Sequence, residues 1–91
     1  MNAALPPGAT PAEDGWNEDP TGLPSRVLDA APRSLPGVTV HAAVVQLGDG
    51  TLTEPTITVG GADAGLTPVQ ARALAAQLVA AADELDSWAT P

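Results

Sequence analysis

The side chains that could carry chemistry are few in this chain, and their spacing does not bring them together. His41 is the single histidine and there is no cysteine, so a tight transition-metal site would need carboxylates from elsewhere in the fold. Ser25, Ser34 and Ser87 have no general base that the sequence places beside them. We therefore expect no catalytic residue, no metal ligand, no cofactor and no enzymatic activity, with His41 an exposed strand residue.

Two glycine-rich stretches are better explained as connections than as phosphate-binding loops. Residues 48–50 and 60–65 lack both the lysine of a P-loop and the GxGxxG order of a dinucleotide-binding turn. Asp49-Gly50 suits a tight hairpin turn. The second stretch is predicted to be a flexible link between a strand and a helix.

The charge of the chain is strongly acidic, with 11 acidic residues, three arginines, no lysine and a formal net charge of −8. Because phosphate binding needs clustered basic residues, we expect neither direct nucleic-acid binding nor attachment to an anionic membrane surface. No stretch approaches the roughly 18 to 20 apolar residues of a membrane span, and no signal peptide is recognised. These observations favour a cytoplasmic protein.

Residues 38–47 and 51–59 alternate apolar and polar side chains, which predicts a β-hairpin. A two-residue loop at Asp49-Gly50 would set Val40 opposite Val59 and Val44 opposite Pro55. A three-residue loop would scramble the apolar face, so we reject it. The face predicted to be buried carries Val38, Val40, Ala42, Val44, Ile57 and Val59. The outer face is predicted to carry His41, Val45, Glu54, Thr56 and Thr58, with Leu47 and Leu52 near the turn.

A long helix is predicted from residue 68 to about residue 88. Thr67 is a good N-cap, Pro68 suits the first helical position, and Gln70 can complete a capping box. Apolar residues then recur at spacings of three and four, which predicts an amphipathic helix packed on a sheet. The predicted apolar stripe consists of Ala71, Leu74, Leu78, Ala81, Leu85 and Trp88.

The N-terminal segment differs in composition, since residues 1–36 hold seven of the ten prolines. We predict a Pro-rich, acidic, largely irregular or disordered tail there, followed by a β-β-α domain at residues 37–89. Within the tail, residues 25–30 are an alternative third strand of the sheet. Trp16 is either a recognition anchor or a cap on the fold's own apolar edge, and we favour the cap. The predicted fold class is α+β.

The run GLTPVQARALAAQLVAAADELD resembles the terminal helix of small β-β-α domains of unknown function from actinobacteria and mycobacteriophages. The resemblance rests on the pattern LTPxxARxLA followed by AADE. It implies a small accessory protein of an actinobacterium or its phage, and it brings no catalytic residues with it.

A β-β-α unit with so few bulky side chains is marginal alone, which predicts self-association as a homodimer. The alternative to self-association is that the strand at residues 25–30 completes a three-stranded sheet within one chain. We therefore predict a non-enzymatic protein-interaction module that binds itself and an unidentified protein partner. The alternative is an acidic regulatory inhibitor, antitoxin-like or DNA-mimicking, that blocks a basic site on a partner. Candidate interaction residues are Trp16, Val45, Leu47, Leu52, Asp83, Glu84, Asp86 and Trp88. For Asp83, Glu84 and Asp86 the favoured alternative is an acidic patch that keeps the protein soluble.

Overall fold

The structure is a computed structural model that describes residues 4–12, 15–18 and 22–89. It has an antiparallel sheet followed by one C-terminal helix, which is the predicted α+β class. The elements in chain order are β1 (Thr10–Pro11), β2 (Ser25–Asp29), β3 (Arg33–Leu35), β4 (Val38–Leu47), β5 (Leu52–Gly61) and α1 (Pro68–Ala89).

Strand β4 is the centre of the sheet. Val40 pairs with Arg33 of β3 and with Val59 of β5, so these two strands lie on opposite edges of β4. Strand β2 pairs with the second half of β4, and β1 pairs with β2. All of these pairings are antiparallel, and the predicted hairpin forms β4 and β5.

The N-terminal segment contributes to the sheet, although it was expected to be largely irregular. It supplies β1, β2 and β3, and β2 is the strand at residues 25–30 that the sequence offered as the alternative to self-association. Leu28 of β2 is completely buried, because it pairs with Val44 on the face that α1 covers. Residues 1–3, 13–14 and 19–21 of this segment lie outside the described residues.

The loop between β4 and β5 is longer than the two-residue turn that the alternation predicted. The N–H of Leu47 donates to the carbonyl of Thr51 at 2.8 Å, and the N–H of Gly50 donates to the carbonyl of Leu47 at 2.8 Å. These bonds close a three-residue loop whose last residue, Gly50, has φ +93°, as this loop type requires. Hydrogen bonds from the side chain and backbone N–H of Thr51 lower the pKa of Asp49.

A β-bulge in β5 compensates for the extra loop residue. Near the turn Val45 lies opposite Thr53, one residue out of the predicted register. The register shifts at the bulge, and on the side away from the turn, from Ala43 back to Val38, the pairing is the predicted one. Glu54, with φ +54°, is the additional residue, so the predicted simple pairing of Val44 with Pro55 is wrong.

The bulge also changes the face on which Leu52 lies. Leu52 pairs with the buried Gln46 on the helix side of the sheet and packs against the core. It was predicted on the outer face, because a two-residue loop would have placed it there. The rejected three-residue loop is therefore present, and the bulge restores the register of the apolar face. The prediction that Val59 of this face is buried is wrong, because β5 is an edge strand among the described residues and Val59 is 43% exposed.

Helix α1 covers one face of the sheet and packs on β3, β4 and β5. The capping box forms as predicted, with Gln70 Oε1 accepting from the N–H of Thr67 at 2.9 Å and Thr67 Oγ1 accepting from the N–H of Gln70 at 3.1 Å. The predicted stripe faces the sheet except for Ala71, which is exposed. The buried core consists of Leu28, Ala30, Val40, Ala42, Val44, Ala81 and Leu85.

Candidate protein-interaction surface

The face of the sheet opposite α1 has no second layer on it within residues 4–12, 15–18 and 22–89. Four apolar residues gather on this face towards the β4–β5 turn, and we call Val27, Ala43, Val45 and Leu47 the open-face patch. Val27 pairs directly with Val45 and is 39% exposed. The other three residues are partly exposed.

Polar residues surround the open-face patch. Ser25 pairs with Leu47 and Asp29 pairs with Ala43 along β2, while Thr53 lies opposite Val45 on β5. Exposed apolar side chains with a polar rim mark protein contacts where they form a large patch, and Val27 is the most exposed member of this one. His41 lies farther along the same face and is exposed, as expected for an ordinary strand residue.

Trp16 is part of the molecule's own packing and lies away from the open-face patch. The Arg26 guanidinium carbon sits 4.4 Å from the Trp16 ring centroid, within the range of a cation–π contact. Arg26 Nε also donates to Gln46 Oε1 at 2.9 Å, and Gln46 Nε2 donates to the carbonyl of Ala4 at 2.8 Å. Because Gln46 is on the helix side of the sheet, Arg26 and the Trp16 ring that it contacts lie on that side.

Trp88 also has a partner within the chain. Its indole Nε1 donates to the carbonyl of Pro7 at 3.0 Å, and its ring packs against the core. Together with Pro7, Gln46 and Leu52 it lines a cleft of about 520 Å³. Trp88 therefore attaches the N-terminal segment to the end of α1.

The three acidic candidates on α1 have different environments. Glu84 forms an ion pair with Arg33, with 3.2 Å between Oε1 and Nη2, and Arg33 also donates to Gln77 Oε1 at 3.4 Å. Glu84 thus connects α1 to β3. Asp83 and Asp86 are exposed on α1, on the opposite side of the sheet from the open-face patch.

Of the eight candidate interaction residues, the structure therefore places only Val45 and Leu47 together on the open face. It adds Val27, which the sequence analysis did not single out. Residues 25–29 have the sequence Ser-Arg-Val-Leu-Asp, which lacks the apolar–polar alternation that marks a half-buried strand. The dense prolines around that stretch also disfavoured a strand there.

Comparison of the chain with protein-family models, with curated proteins and with solved structures gave no match. No helix of the described residues is long and apolar enough to cross a membrane. Within the same residues, no group of three or more His, Cys, Asp or Glu side chains is arranged to hold a metal ion.

Proposed function

We propose that the protein is a non-enzymatic interaction module that associates with itself and binds another protein through the open-face patch. The observation that carries the proposal is this apolar patch, on a sheet face over which the described residues place no second layer. The accessory role, the cytoplasmic setting and the actinobacterial or phage origin belong to the same proposal and rest on the sequence alone.

The geometry of the patch favours contact through apolar side chains. The N–H of Ala30 donates to the carbonyl of Ala42 at 2.9 Å, so the backbone of Ala42 bonds towards β2. In an antiparallel ladder, hydrogen-bonded residue pairs alternate with pairs that share no backbone hydrogen bond. Val27 and Val45 are therefore a pair without mutual backbone hydrogen bonds, and the side chains of such pairs lie closest together. A partner that covers this pair with an apolar strand or helix face would bind with little dependence on salt.

A second candidate function is the acidic inhibitor, which the charge of −8 and the exposed Asp83 and Asp86 favour. Its partner would present a basic site. Binding by this route would weaken steeply as salt rises.

The test compares the wild-type full chain with three variants in an affinity purification with quantitative mass spectrometry. Val27→Thr and Val45→Thr are combined, because threonine keeps the shape and the strand preference while removing apolar surface. Val79→Thr is the matched control, since Val79 is 61% exposed on α1. The proposal predicts one partner whose capture falls about tenfold or more with the double variant, is unchanged with the control, and persists between about 0.1 and 0.5 M salt.

Two other results would contradict this proposal. Capture that survives the double variant would rule out the open-face patch as the binding surface. Capture that is lost in high salt and in the Asp83→Asn, Asp86→Asn double variant would favour the acidic inhibitor.

A further inference from the structure

Strand β5 has a long outer edge with which no strand of the described residues pairs. The backbone of Ala42 bonds towards β2, and Ala42 lies opposite Ile57. Because ladder bonds alternate along an antiparallel pair, Ile57 and Val59 do not bond β4. Their N–H and C=O groups therefore point outward along the free edge.

The usual protection of an edge strand is present only at the two ends of β5. Glu54, with φ +54°, and Pro55 interrupt the edge on the turn side, and Gly61, with φ +88°, interrupts it on the other side. Bulges, prolines and charged residues are the features that keep edges from pairing. Residues 56–60 between these interruptions have none of them.

We propose that a second copy of this chain pairs with β5 along residues 56–60, so that the two sheets join into one across a two-fold axis. The inference rests on the self-association in the proposed function and names its surface. A chain of charge −8 repels its own copy, and residues 56–60 carry no charge, so pairing along them sets no like charges opposite each other. Antiparallel pairing of one segment with itself is closed by a two-fold axis.

The register of this pairing follows from the two ends of the uninterrupted edge segment, residues 56–60. Thr58 is at its centre, so an axis at Thr58 sets Ile57 opposite the partner's Val59 and uses the outward backbone groups of both. Val59 is 43% exposed, and this pairing covers it with a β-branched neighbour, which stabilises a sheet. The flank of α1 towards β3 carries Gln77 and Glu84.

The opposite flank of α1 carries Ala75 and Ala82, with Val79 and Asp86 one turn away on the same side. The two-fold axis would bring the helix of the second copy to the side of the sheet that α1 covers.

Disulfide trapping tests the register, because the chain has no cysteine of its own. In the Thr58→Cys variant the two cysteines face each other across the axis, with about 4.5 Å between their Cα atoms, a distance that a disulfide spans. In the matched Thr56→Cys variant the same atoms are about 13 Å apart, four residues along the strand. Both positions are exposed on the same face.

We expect the Thr58→Cys chain to oxidise to a covalent dimer and the Thr56→Cys chain to stay uncrosslinked at the same concentration. Trapping of both variants at equal rates, or of Thr56→Cys alone, would overturn the proposed register.

Sedimentation equilibrium separates this inference from self-association in general. The wild-type chain is expected at twice its 9.0 kDa. Val59→Glu should raise the dimer dissociation constant about tenfold or more, while Val69→Glu, at a position 74% exposed on α1, should leave it unchanged. Circular dichroism checks that both variants remain folded. A wild-type dimer that Val59→Glu leaves intact refutes the β5 interface alone, whereas a wild-type monomer refutes self-association itself.

Discussion

Leu28 provides the sharpest test of whether the N-terminal segment is part of the folded sheet. Its side chain is completely buried between the sheet and α1. Leu28→Ala removes about three methylene equivalents at about 0.8 kcal/mol each and leaves a cavity. We therefore expect a loss of about 3 kcal/mol in the free energy of unfolding. For a chain of this size that corresponds to a fall in Tm of about 12 °C or more.

The measurement is equilibrium urea denaturation of the full chain at one fixed protein concentration, since the proposed self-association would make apparent stability depend on concentration. Leu23→Ala is the matched control, because Leu23 belongs to the same segment and is 48% exposed. The control should cost about 0.5 kcal/mol or less. If Leu28→Ala costs no more than Leu23→Ala, then β2 is not docked on β4 and the reasoning fails.

Three further results are expected. Gly61→Ala should destabilise the fold by more than about 1 kcal/mol in urea denaturation, because a Cβ there would meet the backbone of the β3–β4 turn. Gly65→Ala should destabilise it less, because φ is also positive there but the space around a Cβ is open. Glu84→Gln should cost only about 0.5 kcal/mol, because its ion pair with Arg33 is about a quarter to a third exposed, and the loss should shrink in high salt. The pKa of the Asp49 carboxyl should lie below 3.8 when it is followed by NMR through the backbone amide that bonds to it. A lowered pKa stabilises the fold at pH values above the pKa of the unfolded chain, and this contribution is lost as the pH falls through the pKa of the folded chain. A titration midpoint at or above 3.8 would contradict the hydrogen bonding of the loop.

The sequence predicted the elements whose signals are local. The capping box at Thr67 and Gln70 and the stripe after it set the helix, and the alternation in residues 38–47 set the central strand. The loop length was not predictable in the same way, because two different arrangements give the same buried face. One is a two-residue loop alone, and the other is a three-residue loop with a bulge at Glu54.

The candidate surface was predictable only in part. Val45 and Leu47 could be placed on the outer face from alternation, but Leu52 depended on the loop length and was misplaced. Val27 joins the patch through pairing between β2 and β4, which are separated by β3 in the chain. Such pairing leaves no periodic signal in a single sequence. The free edge of β5 likewise depends on which strands become its neighbours.

The extra loop residue and the bulge of the hairpin each shift the strand register by one residue, in opposite directions. Deleting one residue of the loop alone, or Glu54 alone, would turn Ile57 and Val59 towards the wrong side of the sheet. Deleting both residues would restore the register and the facing of residues 56–60. Insertions and deletions at these two places are therefore coupled, and natural relatives of this chain should gain or lose length there in pairs.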